Sequence, residues 1–278
     1  HIFMVRKIMQ NNPLRKYFRQ PAIYLKLPSN GNFYEPGTLD MPPNREVPVF
    51  PMTAMDEISY KTPDALFNGS AIVTVVQSCI PNIKDAWKMP SVDLDPVLIA
   101  IRLATYGKQM DFTTVCPHCG HKNESALDLG FLYNQITCPD YSKTVKIDKL
   151  EFYLRPQNYH TMNQASFEAF EQQRLLNVVA DDTLNSQEKT IKFNTLFNNL
   201  LNITVNQVAN CIAAIKTEDG QMVEDQNQIH EFFKNCDKSI WNTVKSRLDQ
   251  IVENSATKNI PLTCESCTKD YTAPLMFE

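Results

Sequence analysis

Two Cys-x-x-Cys pairs, Cys116-Pro-His-Cys119-Gly120 and Cys264-Glu-Ser-Cys267, constrain this chain more than any other feature. A two-residue spacer lets both sulfurs of one turn reach a metal at about 2.3 Å, and two such turns supply the four thiolates of a tetrahedral Zn²⁺ site. Residues 111–115 and 123–129 read as strands around the first pair, and residues 260–263 and 271–277 as strands around the second. Together they are the two halves of a zinc ribbon, separated by residues 120–263. The expected ligands are Cys116, Cys119, Cys264 and Cys267, and the expected cofactor is structural Zn²⁺. A closed four-thiolate shell leaves no open coordination position, so such a metal staples the fold and does not catalyse. Replacement of one sulfur by His118, His121 or Cys138 stays open on spacing alone.

The remaining cysteines, Cys79, Cys138, Cys211 and Cys236, occur singly. That usage fits a reducing compartment and a metal better than a disulfide framework. No apolar run approaches the length of a membrane span, and the first residues lack the apolar stretch of a secretory signal, so the expectation is a soluble cytoplasmic chain with no membrane partner. A net charge of −4 argues against a dedicated nucleic-acid binder.

The basic charge is concentrated at the start. Residues 1–26 contain Arg6, Lys7, Arg15, Lys16, Arg19 and Lys26 and no acidic residue, interleaved with Tyr17, Phe18, Ile23 and Tyr24. An arm of this kind reaches for an acidic partner, with Arg15, Lys16, Tyr17, Phe18 and Arg19 as the contact residues; the competing reading packs its aromatics on its own domain. Residues 27–52 are rich in proline, which confines them to short or edge strands and surface runs.

Helical punctuation follows. Thr53 caps a helix with Asp56 or Glu57 reaching back; Thr62-Pro63-Asp64 starts another, with Gly69 as its stop; Ser70 opens a third over residues 71–80; Asp95 caps a fourth that begins at Pro96 and ends at Gly107. Residues 145–147 and 150–154 form a β-hairpin through Asp148-Lys149. Helices are expected over residues 159–179 and 187–201. Between 208 and 223 a hairpin turns at Glu218-Asp219-Gly220, although 208–215 fit a helix as well. Two further helices cover 227–234 and 237–252, the latter with Ile240, Trp241, Val244, Leu248 and Ile251 on one face.

The fold class is therefore α+β, a helix-rich mixed domain with a discontinuous four-cysteine zinc ribbon. Its parts are a basic N-terminal arm (1–26), a proline-rich segment with short helices (27–110), the ribbon halves (111–130 and 257–278) and a mainly helical insertion with β-hairpins (131–256).

No nucleotide-binding glycine loop, zinc-protease helix or nucleophile elbow occurs, and the chain has only seven glycines. Asp93 and Asp95 are close together, but an N-cap explains Asp95 better than catalysis does. The residues give no reason to expect an enzyme.

A wider pattern links several segments. Asn12-Pro-Leu-Arg-Lys-Tyr-Phe-Arg19, Leu27-Pro-Ser-Asn-Gly-Asn-Phe-Tyr34, Pro51-Met-Thr-Ala-Met-Asp-Glu57, Thr62-Pro-Asp-Ala-Leu-Phe-Asn-Gly69, Asp93-Leu-Asp-Pro-Val-Leu-Ile-Ala-Ile-Arg102 and Ala104-Thr-Tyr-Gly107 stand ahead of the first knuckle. The whole resembles a baseplate protein family of contractile-tailed phages of the T-even type, most densely over residues 12–130 and again at the second knuckle. The resemblance implies a structural or assembly role at the hub of the tail baseplate, located in the virion and in the host cytoplasm during assembly. It implies no catalysis. Its partners would be other hub and wedge proteins and the tape-measure protein, with several copies of the chain in the tail. The alternative is a zinc-ribbon regulator that binds nucleic acid. Basic residues near the knuckles are too few for it: Lys122 at the first, and Lys258 and Lys269 offset by Glu265 and Asp270 at the second.

Overall fold

A computed structural model describes residues 12–62, 69–179, 185–255 and 259–274. The helix expected to start at Pro63 lies outside the described residues.

The N-terminal part is built on β1 (Ile23–Leu25), paired antiparallel with β2 (Val47–Val49). Pro48 sits in β2 without loss because the sheet has two strands and the missing donor faces no neighbour. Thr53 caps α1 (Ala54–Tyr60) in a full capping box with Asp56, one of the two acids expected to reach back. Gly69 precedes α2 (Ser70–Cys79) with φ 77°, and a Cβ there would meet the Asn163 side chain at 2.8 Å. Glycine is required at that position on both counts.

The next helix, α3, runs Ser91–Tyr106, so it begins one turn before the expected start. Pro96 lies inside it, and Asp95 is not a cap. Pro96 forfeits the bond to the preceding turn, yet that turn stays helical because Leu94 and Val97 are buried and the Asp93 carboxylate is anchored by the 29–34 loop. Gly107, φ 88°, ends the helix where expected.

β3 (Gln109–Val115) and β4 (Lys122–Asp128) form a hairpin in continuous register from Gln109↔Asp128 to Val115↔Lys122. α4 (Leu129–Gln135) follows, capped by Asp128. β5 (Val145–Ile147), β6 (Leu150–Leu154), β7 (Ile212–Lys216) and β8 (Met222–Val223) make a four-stranded antiparallel sheet in that order. Between β6 and β7 the chain runs through α5 (Tyr159–Val179) and α6 (Ser186–Asn210). α6 continues to Asn210, so the first residues of the 208–223 stretch are helical and the hairpin begins at Ile212.

α7 (Gln226–Asn235) and α8 (Lys238–Ser255) then cover the sheet. Val244, Leu248 and Ile251 of α8 are buried, with Ile240 and Trp241 packed beside them, as the helical spacing requires. β9 (Asn259–Thr263) and β10 (Asp270–Pro274) form the last hairpin.

Two main cores result. One packs β1, β2, α2 and α3 around Val76, Ile80, Met89 and Val97; the other packs the four-stranded sheet against α6, α7 and α8 around Phe152, Ile212, Ile229 and Val244. A small cluster of Ile99, Met110, Leu129 and Leu132 seats the β3–β4 hairpin on α3.

Candidate metal centre

The turns joining β3 to β4 and β9 to β10 are built alike. In the first, the Cys116 N–H donates to His121 O at 2.9 Å and the Gly120 N–H to Cys116 O at 2.9 Å. In the second, the Cys264 N–H donates to Lys269 O at 3.0 Å and the Thr268 N–H to Cys264 O at 2.9 Å. The fourth residue after the leading cysteine is left-handed in both: Gly120 at φ 73° and Thr268 at φ 58°. Glycine takes that conformation freely, whereas threonine holds it under strain.

The two turns face each other. Cys116 Sγ lies 3.7 Å from Cys267 Sγ, and Cys119 Sγ lies 3.6 Å from Cys264 Sγ. All four sulfurs fall within 4.8 Å of one another. Sulfurs at about 2.3 Å from a tetrahedral Zn²⁺ stand roughly 3.8 Å apart, whereas a disulfide holds them at about 2.05 Å. The donor set thus fits one zinc-sized ion and not a pair of bridges. Cys116 and Cys264 are buried and Cys119 is exposed, so one side of the cluster opens to solvent.

Cys264 and Cys119 are shifted in opposite directions. Backbone N–H groups of Cys267 and then Ser266 pull Cys264 down to about 6. His121 favours the Cys119 thiolate in the same way, but desolvation and the thiols of Cys267, Cys264 and Cys116 outweigh it and push Cys119 up to about 12.

Asn123 joins the halves. It is 2% exposed, on β4, and its Nδ2 donates to the Tyr271 hydroxyl at 3.0 Å and to His121 O at 3.3 Å, with Cys264 Sγ at 3.7 Å. Its Oδ1 accepts from the Glu265 N–H at 2.9 Å. The Tyr271 hydroxyl also meets Thr114 Oγ1 at 2.6 Å. An amide is suited to this position because it donates and accepts at once.

Among the described residues, no histidine or carboxylate joins the four cysteines. His118 Nε2 lies 3.4 Å from Asp270 O, and the Cys138 thiol turns to Pro139 O at 3.5 Å.

The expected contact residues of the arm divide. Arg15, Lys16, Tyr17 and Phe18 are exposed, on and just after a short 3-10 turn, Pro13–Tyr17, capped by Asn12. Arg19, by contrast, is half-buried and turned inward. Its guanidinium donates to Pro51 O, to Ser78 O at 2.9 Å, to Ser78 Oγ at 2.7 Å and to Asp56 Oδ2 at 3.2 Å. Burial would raise the Asp56 carboxyl, but donors from Thr53 and Ser78 and the charge of Arg19 hold it below the usual carboxylate range. The arm is therefore clamped to α1 and α2 before β1 enters the core.

A second polar junction escaped the sequence reading. Asp93, fully buried, accepts from the Ser29 N–H at 2.9 Å, Ser29 Oγ at 2.5 Å and the Tyr34 hydroxyl at 3.1 Å. Burial pushes its carboxyl up to about 6 against the pull of those donors. It fixes the 29–34 loop to α3, and no catalytic group stands beside it among the described residues.

Residues 52–275, a span that includes both knuckles, match the T4 bacteriophage base plate protein family. The chain belongs to that family. No curated protein and no solved structure gives a significant match. Membership gives this baseplate protein a structural role in the phage tail, among other baseplate components. Among its described residues no helix is long and apolar enough to cross a membrane. The exposed turn of the arm lies before the matched span, whereas the Arg19 clamp closes on Asp56 and Ser78 within it.

Proposed function

We propose that this baseplate protein is a subunit or assembly factor of the hub region, acting through protein contacts, with one Zn²⁺ held by Cys116, Cys119, Cys264 and Cys267 as a fold staple. The observation that carries the metal is the tetrahedral spacing of four sulfurs drawn from turns 145 and more positions apart. The ion would supply the positive charge that turns the four thiols into thiolates. The chain itself supplies two rigid hairpins and the Asn123 link. The family match supports a scaffold.

Arg15, Lys16, Tyr17 and Phe18 form the contact offered to an acidic face of a neighbour, another hub or wedge protein or the tape-measure protein. The support is their exposure next to a clamp that holds the turn in place, which lowers the entropy lost on docking. Elemental analysis of the purified chain should find one zinc per chain, lost in Cys116→Ser and Cys264→Ser. Metal-free wild-type protein would sink the staple. In assembling tails, a chain with Arg15→Glu and Lys16→Glu should keep its zinc and fail to incorporate; normal incorporation would remove the arm from the interface. Mass spectrometry of purified tails separates a subunit, present in fixed copy number, from a transient factor.

A further inference from the structure

The four-stranded sheet ends in an open edge. β5 is its outermost strand and pairs only with β6 among the described residues. The two-residue turn at 148–149 makes Ile147↔Leu150 the hydrogen-bonded pair that closes the hairpin, so the next pair, Lys146↔Glu151, is a non-hydrogen-bonded one. The Lys146 N–H and C=O therefore point away from β6, toward the open side. Beside that edge runs α8, whose Val244 and Leu248 share a core with Val145. Between strand and helix lies a groove of about 500 Å³, walled by Val145 on one side and by Asn242, Ser246, Arg247 and Gln250 of α8 on the other. Arg247 is half-buried there and makes no ion pair with any described residue. The acids of this region are engaged elsewhere: Glu151 with Lys146 at 3.7 Å and with Thr144 at 2.7 Å, and Asp249 with Lys245 at 2.6 Å.

We propose that an extended acidic segment of a partner protein adds to β5 as a further strand, lying in this groove with a carboxylate on Arg247. A guest strand is held by main-chain hydrogen bonds to the edge, and the adjoining groove reads every second side chain. Here the edge offers a donor and an acceptor at Lys146, and alternate side chains of the guest fall on the Val145 side of the sheet, toward α8. The helix wall is made of amides, a hydroxyl and one cation without an anion, so it suits hydrogen-bonding and anionic side chains and not an apolar strand. A carboxylate matches the guanidinium in charge and in fork geometry. A second copy of the chain is a poor guest. Two β5 edges paired antiparallel about Lys146 would set their ammonium groups side by side, and like charges directly opposite are destabilising. Lysine on an edge guards against such pairing, and the same charge attracts an acidic guest, so it selects between them.

This docking rests on neither the zinc nor the basic arm. The probe is a capped peptide of about nine residues in which threonine and glutamate alternate, titrated into the full chain up to about 1 mM, which reaches even weak binding. Binding, followed by fluorescence anisotropy of the labelled peptide, should be accompanied in NMR by slower hydrogen exchange at the Lys146 amide. The same peptide with lysine in place of glutamate should bind at least about tenfold more weakly. Arg247→Ala should weaken the acidic peptide by roughly tenfold or more. Lys146→Pro removes the edge donor, which β6 does not use, and should abolish binding; if one variant misfolds, the other decides. The chain with Arg15→Glu and Lys16→Glu should bind the peptide as the wild type does, which keeps this site apart from the arm. An unprotected Lys146 amide, equal binding of the lysine peptide, or indifference to both variants overturns the proposal. So does a peptide-free chain that dimerises with Lys146 already protected, which would assign the edge to a second copy.

Discussion

Asn123→Ala removes the side chain that holds both knuckles at once. Two well-formed bonds between the halves disappear, Nδ2 to Tyr271 and Glu265 N–H to Oδ1, at 3.0 and 2.9 Å. Each contributes about 0.5–1.5 kcal/mol net, and a donor left buried without a partner costs about 1–3 kcal/mol. Tyr271 keeps its bond to Thr114, so the unsatisfied group is the Glu265 N–H, and the whole loss comes to about 2–4 kcal/mol. Because the proposed zinc site would exist only when the halves are joined, that loss would fall on metal affinity. At 1.4 kcal/mol per decade it weakens binding roughly 30- to 1,000-fold. Competition with a chromophoric chelator at neutral pH reads this directly. Asn123→Asp sharpens the test: it keeps the acceptor for Glu265, loses both Nδ2 donations and places a negative charge near the Cys264 sulfur, 3.7 Å from the present amide nitrogen. It should lose at least as much as alanine. An alanine variant with wild-type affinity, or an aspartate variant that binds more tightly than alanine, would refute the reasoning.

Thr268→Gly should relieve about 1–2 kcal/mol of left-handed strain at φ 58°, partly offset by the freedom glycine has when unfolded, for a net gain of about 0.5–1 kcal/mol seen as greater resistance to chelator. Arg19→Ala leaves the Asp56 carboxylate, 7% exposed, without its cation, and should destabilise by about 2–4 kcal/mol in urea melts. The folded state holds Asp56 below its unfolded value, so the unfolded chain binds more protons; the stabilisation is complete above the ordinary carboxylate range and lost as pH falls through the folded value. Acid loss should therefore be shallower in the Arg19 variant. Asp93 has the opposite sign: its carboxyl is raised from 3.8 to about 6, the folded chain binds the extra proton, and stability falls as pH rises across that window. Asp93→Asn should abolish this component in melts taken from about pH 4 to 7, and an unchanged slope would show that Asp93 is not its source.

Local pattern made much of the fold legible. The 145–154 hairpin, the Thr53 cap, α5 and the apolar face of α8 follow from turn chemistry and periodicity within a single window of sequence. The Cys-x-x-Cys pairs were legible because a tetrahedral metal would take four sulfurs and the chain offers two matching turns. The start of α3 was misplaced because Pro96 reads as a first-turn residue, and what overrides it is a carboxylate anchored to a loop 64 positions away. Asn123, Asp93 and Arg19 share that difficulty. Each is an ordinary polar residue whose distant partners lie 32 to 148 positions away, and nothing in its own neighbourhood marks it as buried. Arg19 even sits in a basic run whose other members face solvent. Of the candidate site, the four cysteines that cluster were visible in the sequence and the Asn123 link between their halves was not.

The separation of the knuckles gives the molecule a built-in order of completion. At about 5–20 residues per second of synthesis, Cys264 follows Cys119 out of the ribosome by roughly 7–30 s. Through that interval the first Cys-x-x-Cys turn has no second turn to face. A chain broken off anywhere before Cys264 never closes the ring. Closure of the cluster thus waits on residues 264–267, so that copies broken off before them differ from copies that carry them before either reaches a growing tail.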